Sequence, residues 1–288
     1  MKLTDLFRAG RFVITSEVAP PKGTEVGEMI ENAERLKPCV DAINLTDQQS
    51  SVMRLGSLAA SQMLKARGIE PVFQMTCRDR NRIALQSDLL SAWALGIENV
   101  LCLTGDHVTL GDFPDAKAVF DLDSVSLLAS AKRLNGGFDM GDSELSGRPD
   151  FCLGAVVTPG ADPLELQLIK MEKKIAAGAT FFQTQAVFDA ESFGRFMERA
   201  RPLGVPVMAG IILLKSPGMA RFMNKNVAGV HVPDALIDEM AGAEDRPAKS
   251  VEIAARLARD VRELCQGVHI MPLGWEKRVP EVLGAAGL

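Results

Sequence analysis

A chain of 288 residues, 47% of them apolar, can bury a sizeable core, and its length suits either two ordinary domains or one large α/β barrel. The formal charge of −5 is spread without a block of like charges, which argues against a nucleic-acid or membrane-surface protein, because phosphate-binding chains carry a basic face. Cys39, Cys77, Cys102, Cys152 and Cys265 fall singly and in odd number, which supports neither a disulfide framework nor a structural zinc site and fits a reducing cytoplasm. The opening "MKLTDLFRAGRF" lacks an apolar signal core, and no later stretch approaches the roughly 20 apolar residues of a bilayer span, so neither export nor membrane insertion is expected.

In chain order, "FVITSEV" (12–18) reads as a strand and "VGEMIENAERL" as the helix after it. "AINLTD" (42–47) precedes the helical "LGSLAASQMLKARG", and "PVFQMT" (71–76) precedes "NRIALQSDLLSAWALG". "NVLCLTG" (99–105) is followed by "DSVSLLASAKRL", then by a Gly/Asp/Ser-rich stretch at 134–150 that reads as an extended loop. "FCLGAVV" (151–157), "FFQTQ" (181–185), "PVMAGII" (206–212) and "GVHIMPL" (267–273) complete eight strands, with "PLELQLIKMEKKIAAG", "AESFGRFMERARPLG" and "KSVEIAARLARDVRELCQG" between them as helices. This alternation predicts a single (β/α)8 TIM barrel spanning residues 1–288. An open doubly wound sheet is the alternative, although no GxGxxG follows the first strand.

In a barrel of this kind the site is built at the C-terminal ends of the strands, which gives the polar residues closing each run one location. Those residues are Glu17, Thr46 with Asp47, Gln74 with Thr76, Thr104 with Asp106, Thr158, Gln183 with Gln185, and the "PLGW" after strand eight. Gln183 and Gln185 share parity and so one side of their strand; amides there donate and accept at once, which suits a heterocycle such as a pterin. Glu17 interrupts an apolar run, and partial desolvation favours the protonated form a general acid needs; the plainer reading is a cap or a partner for a rim Lys. "LTGDH" (103–107) reads equally as a strand-ending turn or a ligand site. His107, His231 and His269 have no ligand spacing, so no metal site is expected. "QMTCRDRNR" (74–82) is basic enough to touch phosphate, yet a solvated helix start is the plainer expectation, and Lys173 and Lys174 read as surface charge. No GxSxG and no phosphate loop occur.

The ordered set "SEVAPPKG", "INLTD", "FQMTC", "LTGD", "KKIAAGATFFQTQAVFD" and "GVHIMPLGW" resembles the methylenetetrahydrofolate reductase family over roughly residues 10–287. The resemblance implies reduction of 5,10-methylenetetrahydrofolate to 5-methyltetrahydrofolate, with hydride from NAD(P)H passing through FAD. It implies that Glu17 is the general acid, that Asp106 contacts the pterin and tunes the flavin, and that Gln185, with Gln183 behind it, hydrogen-bonds the folate. Thr46, Gln74, Thr104, Asp123, Ala155, Thr158 and Lys174 fall near flavin-contacting positions.

The chain departs from the family pattern at several of these places. Val18-Ala19 stands where two Phe precede the Pro pair, Gln74 replaces a His, Thr104 an Arg and Thr158 a Tyr, and Pro217 or a neighbour takes the place of a sandwiching Phe. No Tyr occurs anywhere. These changes leave three versions: a flavoenzyme using NAD(P)H, a flavoenzyme fed by an electron-delivering partner subunit, and direct hydride transfer from NADH. A homo-oligomer or a complex with such a subunit is expected, and a folate-binding or methyl-transfer accessory subunit is the alternative from another class.

Overall fold

The computed structural model describes residues 1–288. The β-rich runs become β1 (Val13–Val18), β2 (Ala42–Leu45), β3 (Pro71–Thr76), β4 (Asn99–Leu103), β5 (Cys152–Val157), β6 (Phe181–Ala186), β7 (Val207–Ile212) and β8 (Gly267–Met271). Each pairs in parallel with the next and β8 returns to β1, giving the expected closed (β/α)8 barrel. The closing seam sets Val13 against Gly267 and Thr15 against His269. Only glycine fits at 267, where a Cβ would lie 2.2 Å from the Val13 carbonyl oxygen.

Strand residues alternate between two environments because the side-chain period is two. One set, including Ile43, Phe73, Val100, Ala155, Phe182, Ala209 and Val268, packs outward against the helices in a core of 64 buried residues. The other points inward, and its lower layer of Val13, Ala42, Val72, Leu101, Cys152, Phe181 and Met208 packs on Leu3 and Leu6. Those leucines belong to α1 (Leu3–Arg8), a short helix that the periodicity does not predict and that plugs the barrel floor. Phe181 crosses the interior only because residue 154 is glycine; a Cβ there would stand 2.3 Å from its ring. Full burial of such a ring contributes up to about 3 kcal/mol. The floor is therefore shut and apolar, and ligand access is confined to the opposite mouth.

The helices are α2 (Gly27–Leu36), α3 (Ser57–Lys65), α4 (Arg82–Ala94), α5 (Ser124–Asn135), α6 (Leu164–Ala176), α7 (Ala190–Ala200), α8 (Pro217–Asn226), α9 (Asp234–Ala241), α10 (Arg246–Asp260) and α11 (Val279–Ala286). Several start on acceptor side chains: Asn81 takes the Ile83 and Ala84 amides, and Asp189 the Ser192 amide at 2.9 Å. The helix expected from Lys249 starts at Arg246 because Asp245 caps it, accepting from the Ala248 amide at 3.0 Å, and it ends at Asp260 in a turn that delivers the chain to β8. Residues 213–245, where the sequence pattern marks no element, hold α8 and α9, whose periodicity is interrupted by Pro217, Gly218, Gly229 and Pro233. Within the expected 134–150 loop, α5 persists to Asn135 and one antiparallel bridge joins Phe138 to Glu144. No helix is long and apolar enough to cross a membrane.

Candidate active site

Above the apolar floor the inward positions turn polar and are tied to one another. Glu17 on β1 is only 8% exposed, and its Oε2 lies 3.6 Å from His269 Nε2 on β8. His269 Nδ1 is 3.0 Å from Thr15 Oγ1, one strand repeat below Glu17. Gln183 on β6 donates through Nε2 to the same Thr15 hydroxyl at 3.1 Å and exchanges amide hydrogen bonds with Asn44 on β2 at 2.8 and 3.3 Å. The inventory closes when Thr15 accepts from Gln183 and donates to His269 Nδ1, leaving Nε2 to carry the imidazole proton toward Glu17. Four strands thus hold the carboxylate and its neighbours in one buried chain, where each polar group needs its partner. His269, which its spacing dismissed as a ligand, is the group beside Glu17 in place of the rim Lys of the plainer reading.

Gln185 sits one repeat above Gln183 and is half-buried. The strand bulges between Gln183 and Ala186, where the Thr184 hydroxyl accepts from the Gly210 amide at 2.9 Å, and such a bulge re-aims the residue beside it. The hydrogen bonds formed at Gln185 and Gln74 reach their backbone carbonyls, from Thr184 Oγ1 and Ser57 Oγ, which leaves both side-chain amides to the mouth. Gln183 differs from both, since its amide is spent inside the barrel.

The wall at β2 and β3 is a buried ion-pair network. Asp47 accepts from the Thr76 amide at 2.8 Å and its hydroxyl at 2.9 Å, and from Arg80 at 2.8 and 3.2 Å, while Arg80 also reaches Asp88 at 3.0 Å. Burial pushes the Asp47 carboxyl up, but the Arg80 guanidinium and the Thr76 donors outweigh it and hold the group below the usual carboxylate range. The stretch at 74–82 divides: exposed Asn81 and Arg82 open α4 as the expected solvated helix start, whereas Arg80 is engaged in this wall and Arg78 is 2% exposed. Thr46, at the end of β2, is buried and its hydroxyl has no hydrogen-bond partner in the protein.

The β4 side is open and built from loops. Gly105, with φ +94°, lets the turn after β4 settle on β3; a Cβ would stand 3.0 Å from Thr76 Cβ. Asp106 is exposed, and its Oδ2 accepts from the Ser50 amide at 3.1 Å. Ser50 lies in a segment where Gln48, Ser50 and Ser51 all adopt positive φ, a costly backbone that Asp106 helps to fix. Asp112 fastens the same loops together, taking the Met53 amide at 3.1 Å and the Lys22 ammonium. Beside Asp106 a groove of about 530 Å³ is lined by Thr104, His107, Phe120 and Asp123, with the His107 and Phe120 rings stacked at 6.2 Å.

Asp123 caps α5, accepting from the Ser126 amide at 2.8 Å; burial pushes its carboxyl up, yet the Ser126 hydroxyl and amides bring it below its ordinary value. Thr104 accepts from the Ser124 amide at 3.1 Å. Lys174, expected at the surface, instead reaches the Val156 carbonyl at 2.7 Å, and burial together with Lys170 lowers its ammonium. Thr158 packs its methyl against Gly229, away from the residues that line this groove. The Ala155 side chain faces the outer core and its backbone lies in the β5–β6 ladder opposite Phe182, so the structure does not bring it to the mouth.

Fold and site define a (β/α)8-barrel enzyme whose buried carboxylate and free amides sit at the C-terminal mouth. The chain belongs to the methylenetetrahydrofolate reductase family, whose sequence model, described as methylenetetrahydrofolate reductase, matches residues 2–287, and this places it among the oxidoreductases. It is 28% identical over 260 residues to the 5,10-methylenetetrahydrofolate reductase of Pectobacterium carotovorum, covering 88% of this chain and 80% of that one. It is 24% identical over 259 residues to the Escherichia coli enzyme of the same name, covering 88% and 81%. Among solved structures, a Clostridium thermocellum protein described as binding two copies of 5-methyl-5,6,7,8-tetrahydrofolic acid superposes with a TM-score of 0.66 at 17% identity, over 99% of this chain and 98% of that one. A 2,3-dimethylmalate lyase shares the fold at a TM-score of 0.54 and 10% identity, over 100% and 88%.

Proposed function

We propose that this protein reduces 5,10-methylenetetrahydrofolate to 5-methyltetrahydrofolate, with NAD(P)H as the ultimate donor. The observation that carries this reading is the buried Glu17–His269 pair lying beneath uncommitted amides. Gln185 and Asp106 offer an amide and a carboxylate, the pair of groups that can read the donor and acceptor edge of a pterin. Glu17 delivers a proton to N10, the bond from N10 to the methylene carbon breaks, and the resulting N5 iminium carbon accepts hydride to become the methyl group. The carboxylate left behind is stabilised by the Nε2–H of His269, which Thr15 and Gln183 hold in place.

The residues at the mouth fit a flavin. The Thr46 hydroxyl is a buried donor without a protein partner, and the stacked His107 and Phe120 edge the groove that Thr104 and Asp123 line. Thr46, Gln74, Thr104 and Asp123 would hold FAD, with Lys174 supplying the positive charge. Bound there, FAD would relay hydride from NAD(P)H to the folate.

A second reading, a folate-holding subunit fed by an electron-delivering partner, is supported by the exposed Met53, Leu110 and Phe113 on the loops at the rim, a place where a docking protein would bury them. An absorption spectrum after incubation with FAD, followed anaerobically by NADH and then methylenetetrahydrofolate, tests both. A flavin band bleached by NADH and restored by the folate is the expected result. Bound flavin that NADH leaves oxidised would favour the second reading, and NADH consumed with folate in the absence of flavin would overturn the assigned FAD.

A further inference from the structure

Arg78 is among the largest fully buried side chains of the protein, yet it carries a charge and lies outside the network of Glu17 and outside the Asp47–Arg80 pair. Its Nε and Nη2 are taken by Asp79, at 2.9 and 2.7 Å. Its Nη1 points the other way, to the backbone carbonyl of Asp106 at 3.3 Å. Its Cβ lies under the turn that carries Asp106, 3.2 Å from where a side chain on Gly105 would begin. Its own carbonyl accepts from the Val119 amide at 2.7 Å, on the returning limb of the same loop. One residue of the β3–α4 connection therefore fastens both limbs of the loop that presents Asp106.

A buried guanidinium is an expensive way to fill space, since an apolar side chain of similar volume packs as well without desolvation. What it adds is a fixed fork of donors. Asp79 uses one edge of that fork, and the other supports the Asp106 carbonyl, which belongs to no strand. The Asp106 carboxylate, by contrast, is exposed and held only by the Ser50 amide. Its height at the mouth is thus set from below, through the main chain.

We propose that Arg78 is a positioning residue for folate recognition, acting through Asp106 without touching the substrate; this rests on the reading of Asp106 as a pterin contact. Arg78→Met keeps the stem and removes the fork, Arg78→Lys keeps the charge, and both are measured with and without Asp106→Asn. The probe is 5-methyltetrahydrofolate, titrated for Kd, alongside KM and kcat for the methylene substrate and the thermal midpoint of each protein. In the wild-type background Arg78→Met is expected to raise Kd and KM at least about five-fold with a smaller change in kcat, and in the Asp106→Asn background less than about two-fold. Arg78→Lys should recover part of the loss, and it carries the test by itself if the Met variant does not fold. Equal losses in both backgrounds, or a loss in kcat alone, would overturn the proposal. Should Asp106→Asn itself leave Kd unchanged, the pterin contact fails first and the role of Arg78 falls with it.

Discussion

The two halves of the mouth are built on opposite plans. Around β1, β8, β6 and β2, Glu17, His269, Thr15, Gln183 and Asn44 are buried and joined strand to strand, so their geometry is set by the barrel itself. Around β4, Asp106, Thr104 and Asp123 are exposed and sit at the ends of a loop fastened to its neighbours by Ser50, Met53 and Lys22. A proton donor benefits from the first plan, because its position and surroundings do not change as substrate enters. A recognition surface benefits from the second, because loops close over a ligand and release it. On this account, changes in the buried half reduce stability or kcat, and changes in the exposed half mainly raise KM.

The largest effect is expected where the wall is buried. Asp47→Ala leaves Arg80 without its main partner and should destabilise the protein by about 3–5 kcal/mol, read from urea or thermal unfolding. The contribution of Asp47 also has a pH signature. Its folded-state carboxyl titrates below its unfolded value, so the stabilisation is complete above that unfolded value and disappears as pH falls through the folded one. The stability gap between wild type and Asp47→Asn should therefore close on the acid side and stay constant at neutral pH.

Next comes His269→Gln, which keeps a donor but not the imidazole geometry; kcat should fall about 10- to 100-fold with KM little changed. An equal rise in KM would blur the division between the two halves. Asp106→Asn, in the loop half, should raise KM for the folate about ten-fold, the loss of one charge-assisted hydrogen bond, with unfolding unaltered. The smallest effect is a null one. Burial and the charge of Asp123 push the Cys77 thiol up to about 12, and burial raises Cys102 further, so alkylating reagents at neutral pH should modify neither in the folded protein.

The strands and the mouth were legible because they are local: alternation marks each β run, and the barrel rule then gathers their C-terminal polar residues. What joins those residues was not legible. His269 meets Thr15 across 254 positions, over the seam where β8 returns to β1, and no spacing rule reaches that far. Arg78 and Arg80 look like a solvated basic turn until Asp79, Asp47 and Asp88 are brought against them. The helix α1 is too short for a periodic signal, although the Leu3, Leu6 and Phe7 that plug the floor are visible as apolar residues. Parity puts Gln183 and Gln185 on one side of a regular strand, but the bulge between Gln183 and Ala186 and the Asn44 partnership, which set the committed amide apart from the free one, leave no local signal. For Ala155, counting positions along a motif gave no direction; alternation places its methyl in the outer core.

We propose Glu17 as the proton donor of a site that is otherwise complete without it. That role is tested most directly by comparing Glu17→Gln with wild type for both 5-methyltetrahydrofolate binding and turnover of the methylene substrate. Kd is expected to stay within about two-fold and kcat to fall by about 10²–10⁴. Retained turnover, or a loss of binding as large as the loss of rate, would contradict it.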